Sequence, residues 1–137
     1  MMKTLSPFVL GAFALAAHLA FAGSALAAGD DAHDHAHEDA PLHGGVVAEA
    51  GHLVYELVTA PETVRLYLRD HGKALATEGG QARLTVLDGK AKREIALQPA
   101  GTHFEGAAGG AFAAGAKAVA VVQRAGKPSA TVRFVLR

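Results

Sequence analysis

The sequence contains no cysteine and no tryptophan, and its only two methionines are Met1 and Met2. Without cysteine the chain can form no disulfide, no thiolate metal site and no thiol nucleophile. Once the first residues are removed no sulfur ligand remains, which excludes a soft Cu(I) site. The ligands that are left for a metal are imidazole and carboxylate, and these suit Zn(II), Cu(II), Ni(II) or Co(II).

An excess of positive charge is also missing, because thirteen Lys and Arg balance thirteen Asp and Glu. A nucleic-acid-binding face needs clustered basic residues, so we predict no nucleic-acid partner. The chain contains no G-x-S-x-G, no H-E-x-x-H and no phosphate-binding glycine loop. Its carboxylates occur without the paired pattern of a catalytic dyad. We therefore predict that the protein is not an enzyme.

The N-terminus has the three parts of a secretory signal. Lys3 supplies the positive charge, residues 8–21 form an apolar core, and Ala25-Leu26-Ala27 is a cleavage site of the A-x-A type. We predict a signal peptide of residues 1–27, folded as a helix, and a mature chain in the periplasm; cleavage a few residues earlier is the alternative. The other alternative is an uncleaved membrane anchor, but the apolar core is short for a bilayer span of ~20 residues. We therefore expect the signal to be cleaved and the mature chain not to insert into the membrane.

An acidic and histidine-rich stretch follows, since half of the eight histidines lie between residues 30 and 45, among carboxylates. Residues 28–42 contain one large apolar side chain, Leu42, and cannot offset the entropy of ordering the chain. We therefore predict that residues 28–42 are a flexible, disordered arm.

The spacing of the arm histidines indicates metal binding. His33, His35 and His37 stand at alternate positions, so an extended chain places their imidazoles on one side. His43 lies where the arm meets the domain, and His52 could approach it if a hairpin forms around Gly51. We predict a loosely bound divalent metal, Cu(II) or Zn(II), with ligands drawn from His33, His35, His37, His43 and His52. The alternative is a solvated acidic linker whose histidines bind nothing, because such tracts are compositional evidence only.

From Leu42 onward the apolar residues alternate with a period of two, which predicts strands. The Asp88-Gly89 pair is typical of a hairpin turn, and the nearly continuous apolar run at 116–123 indicates a central strand. We predict an all-β fold over residues 43–137, an antiparallel immunoglobulin-like β-sandwich with a small β-barrel as the alternative. The seven or eight predicted strands are drawn from 46–49, 52–58, 63–69, 81–87, 92–97, 102–105, 116–123 and 129–136.

Three segments of this domain resemble a group of small bacterial periplasmic proteins: His43-Gly44-Gly45-Val46-Val47, Tyr55-Glu56-Leu57-Val58 and Val64-Arg65-Leu66-Tyr67-Leu68-Arg69-Asp70-His71-Gly72-Lys73. The chain is similar to the short β-domain found with heavy-metal efflux systems, including in their periplasmic adaptor subunits. The resemblance covers roughly residues 43–137. It implies a periplasmic β-sandwich, and a heavy-metal efflux adaptor or another envelope protein as partner. The helical hairpin of an adaptor is not in this sequence, so we expect the chain not to act as an adaptor alone.

Two functional hypotheses follow from these observations. The first is a periplasmic protein that binds or buffers a divalent metal, accessory to heavy-metal efflux. The second is a non-catalytic β-sandwich interaction module of the cell envelope, with the acidic arm as a solubilising tether. For the second hypothesis we expect Tyr67, Arg65 and Arg69 to form an exposed contact face, because tyrosine and arginine are common binding anchors.

Overall fold

The computed structural model describes residues 39–137, and these residues contain nine strands and no helix. The same residues therefore include no helix that could span a membrane. The predicted signal peptide and most of the predicted arm, with His33, His35 and His37, lie outside the described residues. The strands are β1 (Val46–Ala50), β2 (Leu53–Thr59), β3 (Thr63–Asp70), β4 (Lys73–Ala74), β5 (Gln81–Asp88), β6 (Ala91–Pro99), β7 (His103–Ala107), β8 (Lys117–Gln123) and β9 (Ala130–Val135).

The all-β prediction is confirmed. The chain forms strands because its apolar residues stand at alternate positions, and these positions are the buried ones. In β3 the buried positions include Val64, Leu66 and Leu68, while in β5 they are Ala82, Leu84 and Val86. Because successive strand residues point to opposite faces, this alternation gives each strand one core face. The short strand β4 is not among the predicted strands, and it follows the turn after β3. In the structure that turn is only His71 and Gly72, and β4 pairs back onto β3.

All strand pairs are antiparallel, in the order β1-β2-β3-β7-β6-β5-β8-β9, with β4 on β3. The strands form two sheets, one containing β1, β2, β3, β4 and β7 and the other containing β5, β8 and β9. Strand β6 joins these two halves of the fold, because residues 91–97 pair with β5 whereas Gln98 and Pro99 pair with β7. Strand β1 lies against β9, so the sheet is nearly closed into a barrel. The fold thus combines the predicted sandwich and its barrel alternative: two packed sheets whose edges almost meet.

Two finer predictions also agree with this topology. The turn predicted at Asp88-Gly89 connects β5 to β6, where Asp88 faces Ala91 in the register. Strand β8, predicted to be central, pairs with β5 on one side and β9 on the other. The enclosed core is filled mainly by aliphatic side chains, and it also contains the aromatic side chains of Tyr55, Phe104 and Phe134.

A close approach of two strands fixes the junction between the halves of the fold. Gly106 of β7 lies so near β6 that a Cβ there would meet the carbonyl oxygen of Ala96 at 2.5 Å and a methyl group of Leu97 at 2.8 Å. Such contacts are tighter than real side chains adopt, so only glycine fits. Since β6 and β7 share few paired residues, this packing contributes to joining the two sheets.

We therefore expect Gly106→Ala to lower the free energy of unfolding by about 2 kcal/mol, because the added methyl group overpacks the junction. Urea denaturation of the purified protein measures the change. Ala107→Ser, at the exposed neighbouring position, is the matched control and should leave stability nearly unchanged. Equal stability of the two variants would contradict the assigned packing.

Candidate functional site

The register of three neighbouring strands places Glu56, Tyr67 and His103 side by side. Glu56 of β2 faces Tyr67 of β3, and Tyr67 faces His103 of β7. Residues that face each other across antiparallel strands point to the same side of the sheet. The neighbouring residues Tyr55 and Leu68 point to the other side and belong to the core. The outer face of this sheet therefore carries a row of polar and aromatic side chains.

The carboxylate of Glu56 is fully buried, at 0% relative exposure, although it lies on that outer face. Residues 39–45 cover this carboxylate, and we call them the covering segment. The carboxylate accepts backbone N–H bonds from Leu42 at 2.9 Å, His43 at 2.7 Å and Gly45 at 3.0 Å. The His43 ring adds a fourth contact, with Nδ1 at 3.1 Å from Oε2. One side chain thus binds three backbone donors of a loop that would otherwise be solvated.

The two glycines after His43 permit this wrapping. Gly44 has a φ of 74°, in the left-handed region that side chains other than glycine rarely adopt. At Gly45 a Cβ would collide with the carbonyl oxygen of Leu57. The His43-Gly44-Gly45 sequence is therefore explained by the turn onto β2 that brings the backbone to Glu56.

Burial by itself would raise the pKa of Glu56, but the N–H donors of Gly45, Leu42 and His43, with the His43 ring, together hold it below its ordinary value. The carboxylate is consequently ionised at neutral pH and can only accept hydrogen bonds. The His43 Nδ1 that faces it must then carry the proton. In the neutral ring this leaves the lone pair on Nε2, and the side chain is 41% exposed.

Ring stacking fixes the plane of His43. Its ring lies on Tyr67 with centroids 3.6 Å apart and planes 6° from parallel. Tyr67 in turn contacts His103, with centroids 4.9 Å apart. His103 Nε2 lies 3.3 Å from Glu105 Oε2, and Arg65 donates to the same oxygen at 2.7 Å. The bond from Arg65, assisted by His103, lowers the pKa of Glu105.

The exposure of the Arg69 side chain differs from the prediction for this face. We expected this side chain from the sequence to be exposed beside Tyr67 and Arg65, but Arg69 is only 4% exposed. Its Nη2 donates to the carbonyl oxygen of Ala40 at 2.9 Å, while its Nε has no hydrogen-bond partner among the described residues. The strand alternation did direct Arg69 outward, but the covering segment lies over it. Among the described residues, contacts with the sheet therefore extend to Ala40, which precedes the predicted start of the domain at His43.

The structure does not bring the two predicted domain ligands together. His43 precedes β1 and contacts Glu56 and Tyr67, whereas His52 lies in the turn after β1, 3.9 Å from Asp70. The predicted approach of His43 to His52 is wrong, because the hairpin around Gly51 places them at opposite ends of β1. Within residues 39–137 no three His, Asp or Glu side chains are already grouped so that they could hold a metal ion.

Sequence reasoning missed the role of Glu56, although a signal was present. A single carboxylate stands in the otherwise apolar run Leu53-Val54-Tyr55-Glu56-Leu57-Val58, where Val54 and Val58 share its face. A charge flanked by apolar residues on its own face is expected to be covered and paired. The sequence offered no means to identify the loop that covers it.

In comparisons with protein-family models, curated proteins and solved structures, nothing matched this chain. Its function must therefore be argued from the chemistry of the site itself.

We expect Glu56→Gln to lower the free energy of unfolding by about 2 kcal/mol, since bonds to an ionised acceptor are each stronger than bonds to a neutral amide. Urea denaturation at neutral pH measures this, and Glu62→Gln, at an exposed position, is the control. If the two variants are equally stable, the covering segment does not depend on the carboxylate.

The stability difference between the wild-type protein and Glu56→Gln should also depend on pH. The pKa of Glu56 is lowered by folding, so its stabilisation is complete above its ordinary value of 4.5 and is lost as the pH falls through the folded value. Unfolding free energies measured from pH 7 to pH 2 should therefore converge for the two proteins at the acidic end. A constant difference across that range would contradict the assigned ionisation. Glu105, whose pKa is also lowered, is present in both proteins and does not affect the comparison.

Proposed function

We propose that this protein binds a divalent metal ion, Cu(II) or Zn(II), in the bacterial periplasm, and that it captures or buffers the ion without catalysing a reaction. The observation that carries the proposal is the contact between the buried carboxylate of Glu56 and Nδ1 of His43. Histidines that ligate metals commonly donate their other ring N–H to a carboxylate, which fixes the tautomer and raises the basicity of the ligating nitrogen. Glu56 and His43 have this relation.

The geometry around His43 suits one ligand of an exchangeable ion. Stacking on Tyr67 fixes the ring plane, and the Glu56 bond fixes which nitrogen is protonated, so Nε2 is prepared to ligate. A preoriented imidazole loses less conformational entropy on binding than a free one. One fixed imidazole is too few for a closed tetrahedral zinc site, which takes four protein ligands. This fits buffering rather than a structural role.

Further ligands are available from the residues that precede the covering segment in the sequence. His33, His35 and His37 lie six to ten positions before His43, and the covering segment ties the chain that carries them to the sheet. A tether of this length gives a high effective concentration of imidazole near His43. The carboxylates Asp34 and Glu38 add negative charge and oxygen donors, which attract divalent cations.

The place in the cell and the partner rest on the sequence. The signal-like N-terminus supports export. The resemblance to the β-domain of heavy-metal efflux adaptors supports a role in which this protein delivers the metal ion to an efflux system or receives it from one. Exchangeable binding by imidazole is appropriate for a protein that passes an ion to a partner, because tight closed sites release metal slowly. A heavy-metal efflux adaptor or another envelope protein would be that partner.

We expect calorimetric titration with Zn(II) or Cu(II) at pH 7 to show binding by the wild-type protein. The triple variant His33→Ala, His35→Ala, His37→Ala and the single variant His43→Asn should each bind about tenfold or more weakly, because each removes ligands of the same ion. The asparagine introduced in the single variant retains a side-chain donor for Glu56, so the covering segment should stay in place. His103→Gln is the matched control, since His103 is assigned no metal.

The outcomes separate the two functional hypotheses. Binding that is lost near pH 5 would support imidazole ligation, since a free imidazole is protonated below about pH 6.5. Full affinity in both histidine variants would exclude His43 and the arm as ligands. No binding by the wild-type protein at high micromolar metal would overturn the proposal and favour the interaction module.

A further inference from the structure

We propose that the outer face of the sheet of β5, β8 and β9, continued by β6, binds an acidic segment of a partner protein. We call this surface the basic face, and it is formed by the outward side chains of those four strands. The partner segment carries carboxylates beside small apolar side chains. Glu56 and His43 belong to the outer face of the other sheet, so this proposal does not rest on metal binding.

Exposed aliphatic side chains are concentrated on the basic face. Among residues 39–137 four large hydrophobic side chains are exposed, and three of them lie here: Leu87, Val121 and Val135, which are between 43% and 56% exposed. The fourth, Leu42, belongs to the covering segment. Single exposed apolar residues are normal on a protein surface, whereas several on one face indicate a surface that contacts a partner.

The free charges of the basic face have one sign. Arg83, Lys117 and Arg133 are exposed, and none of these three has an ion-pair partner within the described part of the chain. The acidic side chain of the face, Glu94, is already paired with Lys92 at 3.1 Å. Three cations therefore remain uncompensated, and their combined field attracts carboxylates.

The strand register places the aliphatic side chains beside these cations. Leu87 of β5 faces Lys117 of β8, and Lys117 faces Val135 of β9. Nearer the other end of the same strands, Arg83 faces Val121. Side chains that face each other across antiparallel strands lie within contact distance on one face. A partner segment with carboxylates and apolar side chains close together matches this pattern, whereas a purely charged or a purely apolar segment matches only half of it.

A concave region at one end of the basic face provides a place for a carboxylate. The region has a volume of about 370 Å³ and is lined by Arg83 and Val121. A guanidinium can donate two parallel hydrogen bonds to one carboxylate. Side-chain amides and a hydroxyl supply further donors, and they come from Gln81, Gln98, Gln123 and Ser129.

Two other occupants fit the basic face less well. A second copy of this chain, bound through the same face, would bring like charges together, because a two-fold contact uses the same patch on both subunits. Membrane-binding surfaces are enriched in tryptophan and tyrosine, whereas the outward positions of β5, β6, β8 and β9 contain no aromatic residue. A protein segment is therefore the occupant that the composition of this face favours.

The probe is a fluorescent synthetic peptide of alternating glutamate and valine, titrated into the ¹⁵N-labelled protein in metal-free buffer. We expect weak binding, with amide shifts confined to residues 81–87, 94–98, 117–123 and 130–135, and a loss of affinity at high salt. The double variant Arg83→Gln, Arg133→Gln should bind about tenfold more weakly, since each exposed ion pair contributes up to about fivefold. Val121→Thr keeps the shape and should weaken binding about threefold, because a methyl group becomes a hydroxyl.

Lys73→Gln, which removes an exposed cation from β4 on the other sheet, is the control and should bind as the wild-type protein does. Unchanged affinity in the double variant, equal binding of a peptide with lysine in place of glutamate, or shifts outside the basic face would overturn the proposal. Binding to phosphatidylglycerol vesicles without binding to the peptide would overturn it in favour of a membrane. A dimer in analytical ultracentrifugation that Val121→Thr dissociates would overturn it in favour of a second copy.

Discussion

The ionised carboxylate of Glu56 is the interaction on which the outer face of this protein depends. A carboxylate that is removed from water is costly unless hydrogen bonds replace its hydration. Here Leu42, His43 and Gly45 supply those bonds from the backbone, with His43 Nδ1 as a fourth donor. Because each bond to a charged acceptor contributes about 1.5–3 kcal/mol, a chain segment with little apolar surface of its own can be held against the sheet.

The covering segment in turn determines what the neighbouring side chains can do. It holds the His43 ring on Tyr67, and it places the Ala40 carbonyl on the guanidinium of Arg69. Arg69 is thereby removed from solvent, and the exposed cationic face expected beside Tyr67 does not form. The surface that remains is an oriented imidazole beside an aromatic ring. The proposed metal-binding role rests on this arrangement.

The sequence predicted the strands well because one physical rule governs them: apolar residues at every second position require a core on one side. Neither the pairing of Glu56 with residues 42–45 nor the burial of Arg69 follows from that rule, since alternation gives the face of a residue but not what covers that face. The sequence allowed His52 to approach His43 if a hairpin formed around Gly51. That hairpin forms, but its register pairs Ala50 with Leu53 and Val46 with Leu57, so His43 and His52 lie at opposite ends of β1. The roles of His33, His35 and His37 remain predictions from the sequence.

The central claim is that Glu56 fixes the proton of His43 on Nδ1 and so presents Nε2 to a metal ion. The most direct measurement is a Zn(II) titration of histidine-¹⁵N-labelled protein at neutral pH, followed through the two ring nitrogens of His43. We predict a protonated Nδ1 before and after titration, with the large change in ¹⁵N chemical shift confined to Nε2. A proton on Nε2 in the free protein, or no response of either nitrogen to zinc, would contradict the claim.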